Sequence, residues 1–461
     1  MVPPSAHLVA RREAARRAFD LSRGAVLVPA GLPVVVAGTD EPYEFRVHPE
    51  HRWLTGLAEP GALLAFDPGE GFVLFFPERT EEERVWSGPG PDPERLREES
   101  GLDRIRPRAG LTEWLGARHG EPLAILGNPD FLSRFAEYDV PGWPRLWPAL
   151  EPDLSTRLSK VLDVLRRRKD GVEIALLRRA AEISAAGHAA AAEVVRPGMT
   201  ERELMTEVCA VFRRLGSRRD AYAPIVAGGE NASVLHFAPT DRPFADGDLV
   251  LVDAGAEYGG LMGDVTRTLP AGGRFEPFQR DVYEIVLAVE EAAIARARPG
   301  VEYRDLHLSA CTALAAGLVE LGLLRGNPES LVERDAHALF FPHGLGHMLG
   351  LATHDAGGYL EGRPRSDRFG LKWLRTDLPL EAGHVVTIEP GIYFIRPLLT
   401  NRVWRERFRE EVAWDRVDRL LGFGGIRIED DVHVTAAGPE VLTHAAPKRA
   451  ADLEAARRPS E

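Results

Sequence analysis

The chain repeats itself once, at long range, and this limits its possible folds more than any other feature. The run Asp241-Arg-Pro-Phe-Ala-Asp-Gly247-Asp-Leu-Val-Leu-Val-Asp253-Ala-Gly255 parallels Asp377-Leu-Pro-Leu-Glu-Ala-Gly383-His-Val-Val-Thr-Ile-Glu389-Pro-Gly391, every matched position lying 136 residues on. An Arg-Pro-Gly that ends a helix also occurs twice, at Arg196–Gly198 and Arg298–Gly300. A second helix follows each. Thr200 and Glu203 predict a capping box at the first, each side chain satisfying a free backbone N–H, and Glu302 to Leu321 reads as the helix after the second. The unit is longer than a solenoid repeat and occurs only twice. It predicts two related α+β halves that face each other.

The repeat sets Asp253 and Glu389 at equivalent points, each closing an apolar strand, and a second strand follows each. Asp264 lies in the first of these, in Gly263-Asp264-Val265-Thr266, and Glu429 in the second, in Gly425-Ile-Arg-Ile-Glu-Asp-Asp431. Alternation puts Ile426 and Ile428 on one face of that strand and Arg427 and Glu429 on the other. Each half therefore offers two carboxylates. Four converging carboxylates repel one another and resist ionisation, and two divalent cations would remove that cost. Oxygen-rich ligation suits Mn²⁺ or Co²⁺ better than a Cys-rich zinc site. The fifth element is Phe341-Pro-His343-Gly-Leu-Gly-His347. Its glycines favour a loop or strand over a metalloprotease helix of the HExxH kind, and a neutral imidazole there can ligate a cation. His354 follows closely, and His236 stands before the first repeated strand much as His343 and His347 stand before the second. Taken singly, an Asp before Gly is a turn residue, a Glu in an acidic strand end is solvated, and a His is a surface or core group. Matched positions in two repeats change that weighing.

Residues 1–154 mix short strand-like runs (Ala25–Val28, Pro33–Val36, Gly71–Phe76) with helices, and read as a smaller α/β domain with a supporting role. A charged linker helix over 155–172 leads into a second domain at 173–461. With 461 residues, 44% of them apolar, the chain can bury two cores without disulfides. Its two cysteines, Cys209 and Cys311, read as buried free thiols in a reducing compartment. No secretory-type apolar stretch opens the chain, and no window reaches the ~18 apolar residues of a membrane span. The expected location is cytoplasmic. A formal charge of −13 argues against nucleic acid or an anionic membrane as partner.

The strings around Asp253, Asp264, His347, Glu389 and Glu429, together with Pro-His-Gly-Leu-Gly-His, Thr-Ile-Glu-Pro-Gly-Ile-Tyr and Gly-Ile-Arg-Ile-Glu-Asp-Asp, resemble the pita-bread-fold metallopeptidases, which include prolidase, aminopeptidase P and methionine aminopeptidase. Tyr43–Arg46 through Leu54–Pro60 looks like the N-terminal domain of aminopeptidase P. The resemblance implies an α+β pita-bread catalytic domain with a pseudo-twofold duplication and the five named residues as ligands of two divalent cations, Mn²⁺ first, with Co²⁺ or Zn²⁺ as alternatives. It implies a homodimer and a small peptide substrate with proline second. It gives Glu389 a proton-shuttling role, His343 or His354 a hydrogen bond to the oxyanion, and Tyr222 and His236 the lining of the proline pocket. Arg427, another expected substrate contact, and Tyr393 would orient the ligands. The 40-residue interval from Glu389 to Glu429, with its charged insert Asn401–Arg419, and Arg375 in Leu374-Arg375-Thr376 look closer to prolidase. In that family the matching Arg is taken to bind the carboxylate of a dipeptide, a role suited to its fork of donors. Cleavage of Xaa-Pro dipeptides is therefore the expected activity. The alternatives are an Xaa-Pro aminopeptidase acting on longer peptides and a metal-free binding scaffold, which loss of ligands would have marked.

Overall fold

The computed structural model describes residues 5–127 and 151–456, so the stretch 128–150 in the expected first domain lies outside the described residues. The chain divides into two compact units, Met1–Arg166 and Arg167–Glu461.

The first unit is built on five strands in the order Ile105–Pro107, Gly71–Phe76, Leu63–Asp67, Ala25–Pro29, Leu123–Ile125. The two edge strands run parallel to their neighbours and the inner pairs are antiparallel. Ala25–Pro29 is buried at every position because both faces are covered. Leu27, Ala65 and Phe75 pack with Leu111 and Trp114 on one side. On the other, Phe66 meets Phe19 of the Ser5–Phe19 helix edge-on at 5.7 Å. A strand covered twice reads as a continuous apolar run. The strand expected at Pro33–Val36 does not form. Only Val35 makes a bridge, to Pro42, and Val34 and Val35 are 40% and 47% exposed. A short run with no buried face and a proline at its head lacks both the packing and the donors to join a sheet.

The helical run expected over 155–172 is two helices, Pro152–Arg167 and Gly171–Val194. Asp170 ends the first by capping the second: its carboxylate accepts from Val172 N and Glu173 N, and Glu173 reaches back to complete a capping box.

In the second unit each repeat forms its own sheet. Leu249–Asp253 lies between Ile225–Gly228 and Thr266–Pro270, antiparallel to both, with Asp253 opposite Thr266. In the other half Val385–Ile388 pairs with Asp430–Thr435, and Gly391–Tyr393 pairs with Gly425–Arg427. The halves meet where Glu429 N donates to Thr266 O at 3.1 Å and Thr268 Oγ1 donates to Arg427 O at 3.0 Å. Helices Gly171–Val194, Glu201–Arg214, Pro277–Arg296 and Tyr303–Glu320 pack on these strands around one apolar core. The Thr200–Glu203 capping box opens the second of them. Ile426 and Ile428 go fully into that core, so Arg427 and Glu429 turn the other way. Among the described residues no helix is long and apolar enough to cross a membrane.

Candidate metal centre

Asp253, Asp264, His347, Glu389 and Glu429 all line one cavity of about 840 Å³. The backbone allows this approach through two glycines. A Cβ on Gly255 would sit 1.7 Å from Gly263 O, so only glycine lets the strand after Asp253 lie against the residue before Asp264. Gly346, at φ +158°, would place a Cβ 2.1 Å from Thr387 O. That close pass lets the His343–His347 loop run beside the strand leading to Glu389, and Thr387 N and Glu389 N donate to His347 O and Leu345 O at 2.9 and 2.8 Å.

The polar groups meet with more acceptors than donors. Tyr222 Oη is 2.5 Å from Asp253 Oδ1 and 2.6 Å from Asp264 Oδ1. One hydroxyl has one proton to give, so one of those contacts sets lone pair against lone pair unless a proton or cation intervenes. His347 Nδ1 donates to the Met348 carbonyl at 3.0 Å, which turns Nε2 toward Asp264 Oδ2 at 3.4 Å and Glu389 Oε1 at 3.6 Å. Asp264, His347 and Glu429 each offer a ligand atom, all within 4.8 Å of one another. Burial, reinforced by Asp264 and Asp253, pushes the Glu389 carboxyl up to about 7, against the pull of His347 and Arg427. Glu429 is driven well above its ordinary range by burial and then by Asp264, Glu389 and Asp253. Asp253 is raised too, by burial first. Four carboxylates and an imidazole packed this closely are a hard, oxygen-rich donor set that divalent cations fit.

Arg427 is 4% exposed and spends its donors inside the protein. Nη2 bonds Asp253 Oδ2, Nη1 donates to Tyr393 Oη at 2.9 Å and Nε to Thr266 Oγ1 at 3.1 Å. It thereby ties Asp253, Tyr393 and Thr266 together while lining the cavity itself. His343 is also fully engaged: Nδ1 donates to Gly344 O at 2.8 Å, and Nε2 accepts from Tyr393 Oη at 2.8 Å. Burial and the charge of Arg427 push it down to about 3. Both of its ring nitrogens are thus engaged. His354 stands edge-on to His347, ring centroids 4.4 Å apart, and makes no hydrogen bond to a described residue. Tyr222, His236 and Arg375 line the same cavity, though the Tyr222 hydroxyl is held by the two aspartates.

Residues 175–436 match the model of metallopeptidase family M24. The chain belongs to metallopeptidase family M24. Residues 8–121 match the aminopeptidase P N-terminal domain. The chain is 32% identical to a probable Xaa-Pro aminopeptidase of Penicillium rubens over 98% of its own length and 97% of that relative's. Among solved structures it resembles the aminopeptidase PepP of Pseudomonas aeruginosa, with TM-score 0.82, 33% identity, and 99% and 98% of the two chains covered. It also resembles aminopeptidase P from E. coli bound to the inhibitor Pro-Leu, with TM-score 0.80, 33% identity, and 98% of each chain covered. The fold is thus the expected one, a pita-bread M24 domain preceded by a smaller N-terminal domain, and the chain is a metallopeptidase.

The M24 site rests on buried groups that sequence reasoning missed. Arg267 is 1% exposed and all its donors are used. Nη1 bonds Thr266 O and Glu429 O, Nη2 bonds Asp430 Oδ1 and Ala446 O, and Nε bonds Pro447 O. Lys448 joins Asp430 to Glu290 at 2.6 and 2.8 Å, and Asp431 Oδ2 accepts from Asp264 N at 3.1 Å. A charged residue inside the buried run Val265-Thr-Arg-Thr-Leu was the available signal. Of the two thiols, Cys311 is buried and Cys209 only half-buried.

Proposed function

We propose that the chain is an Xaa-Pro aminopeptidase that removes the first residue of peptides with proline second, using Asp253, Asp264, His347, Glu389 and Glu429 to hold two divalent cations. The observation that carries this is the convergence of those buried groups on one cavity, beside an apolar wall of Met205, Ile225, Leu235 and Phe237 suited to a pyrrolidine ring. The names of the relatives favour this reading over the dipeptidase expected from the Glu389–Glu429 interval and Arg375. Bound cations would polarise the scissile carbonyl and make a water acidic enough to attack near neutral pH, and Mn²⁺ or Co²⁺ suits the oxygen-rich set.

The chain's own groups do the rest. Glu389, whose carboxyl burial holds above its ordinary range in the metal-free fold, takes a proton and delivers it to the departing proline nitrogen. His354 offers its free N–H to the oxygen that becomes negative. Arg427 fixes Asp253, and Tyr393 fixes His343, so neither swings as charge moves. An Xaa-Pro bond has no N–H on its nitrogen, so a site that grips carbonyl and ring handles it better than one relying on that donor.

One observation favours the dipeptide reading. Arg375 lines the cavity, exposed, its guanidinium with no hydrogen-bond or ion-pair partner among the described residues, as a reader of a terminal carboxylate would be. A substrate panel with Xaa-Pro and Xaa-Pro-Yaa separates the two. An aminopeptidase cleaves the tripeptide with the higher kcat/KM. If the dipeptide is preferred and Arg375→Ala erases the preference, the dipeptidase reading replaces it.

A further inference from the structure

The cavity is electrically polarised. Its floor holds Asp253, Asp264, Glu389 and Glu429, and one stretch of its mouth holds Arg365, Lys372 and Arg375 beside Trp373. In a chain of net charge −13 three such cations would ordinarily be paired. Here all three are exposed, and among the described residues no carboxylate lies within ion-pair distance of any of them. Arg365 rests 5.7 Å over the Tyr359 ring and Lys372 5.1 Å over Trp373. Neither contact cancels charge. Trp373 is 58% exposed.

The stretch is held in place. Tyr359 Oη donates to Leu374 O at 2.6 Å, and the His307 ring donates to Gly370 O at 2.8 Å. Asp335 accepts from Gly370 N at 3.2 Å and pairs with Arg368 at 2.9 Å. Leu371 and Leu374 are buried between these ties. The rim cations are thus carried on an anchored ledge.

Resting on the Xaa-Pro reading, we propose that Arg365, Lys372 and Trp373 form a subsite for a carboxylate on the chain beyond the proline, so that peptides with an acidic side chain in third place are preferred. The N-terminal ammonium goes to the acidic floor, the proline to the apolar wall, and the following residue leaves past the basic ledge. Its carboxylate meets the cations and its stem lies on the indole.

The test is kcat/KM of the metal-loaded full chain on Ala-Pro-Glu-amide, Ala-Pro-Gln-amide, Ala-Pro-Lys-amide and Ala-Pro-Gln with a free C-terminus. At low ionic strength the Glu peptide should exceed the Gln amide about tenfold, chiefly in KM. The gap should narrow in 0.5 M salt, because exposed charges are screened over roughly 10 Å or less. The R365E/K372E variant, its metal content checked equal, should reverse the order of the Glu and Lys peptides, which a change in folding alone would not do. Equal rates for Glu and Gln amides, an advantage confined to the free C-terminus, or an order that survives charge reversal would each overturn the subsite. Failure to cleave any of the four would overturn the Xaa-Pro reading and the subsite with it.

Discussion

Glu389→Gln should stabilise the metal-free protein and disable the metal-bound one. The Glu389 side chain is 17% exposed, and its carboxyl titrates near 7 in the fold against an ordinary 4.5. An acid that binds its proton more tightly folded than unfolded contributes no penalty below pH 4.5. It weakens the fold increasingly as pH rises through 4.5 toward 7, and by a constant amount above that. The difference amounts to about 3 kcal/mol at pH 8 and under about 1 kcal/mol at pH 5, at about 1.4 kcal/mol per pH unit. Glutamine has nothing to ionise, so in chelator at pH 8 it should raise the melting temperature by roughly 6 °C, and far less at pH 5. With Mn²⁺ added, the wild type should gain stability by mass action. The variant, short of one charged ligand, should gain little. Thermal melts of both proteins at both pH values, with chelator and with Mn²⁺, give the full set. A variant that melts lower than wild type in chelator at pH 8, or gains equally at pH 5 and pH 8, would refute the claim that repulsion and burial act on this carboxyl.

Chelation should abolish peptidase activity and Mn²⁺ or Co²⁺ restore it, while His347→Ala and Glu429→Ala each lose bound metal and activity together. Elemental analysis beside the assay checks this, and activity in metal-free protein would refute it. Arg267→Lys keeps a charge against Asp430 but loses the fork on the Thr266 and Glu429 carbonyls. It should weaken metal binding by about 10–100-fold in a calorimetric titration, and unchanged affinity would show that Arg267 serves the core alone.

The four carboxylates are legible because the repeat sets Asp253 and Glu389 at matched strand ends and a second strand, carrying Asp264 or Glu429, follows each; strand periodicity then tells which face Glu429 takes. The His343–His347 string showed its loop through its glycines. What stayed hidden depends on distant partners. Arg267 takes its meaning from carbonyls at 429, 446 and 447, and no local pattern links those positions. For Arg427, alternation fixes only its face. That its donors are spent on Asp253, Tyr393 and Thr266 follows from how the two halves meet. His343 looked free because its tautomer is set by its neighbour Gly344 O and by Tyr393, fifty residues on. Pro33–Val36 has strand-forming residues but no strand to pair with, which is a property of the sheet and not of the run.

The countercharge around the site differs from one carboxyl to the next. Asp253 touches the guanidinium of Arg427. Asp264 and Glu389 both face the His347 ring at 3.4 and 3.6 Å, and burial notwithstanding, that ring is raised by their proximity. Glu429 makes no ion pair among the described residues; it accepts from Thr266 Oγ1 at 2.6 Å, and a hydroxyl can donate one hydrogen bond but cannot neutralise a charge. Burial, and then Asp264, Glu389 and Asp253, outweigh the pull of Arg427 on Glu429, and its pKa is displaced well above that of an ordinary carboxyl. Arg267 beneath it does not help, because its charge is spent on Asp430, which it and Lys448 hold far below the usual range against burial. The fold thus sets a guanidinium against Asp253, which closes the first repeated strand, and an imidazole against Asp264 and Glu389, and gives Glu429 no ion-pair partner among the described residues. A divalent cation beside Glu429 would supply countercharge and must expel any proton the carboxyl holds, which couples occupancy of the site to pH through Glu429.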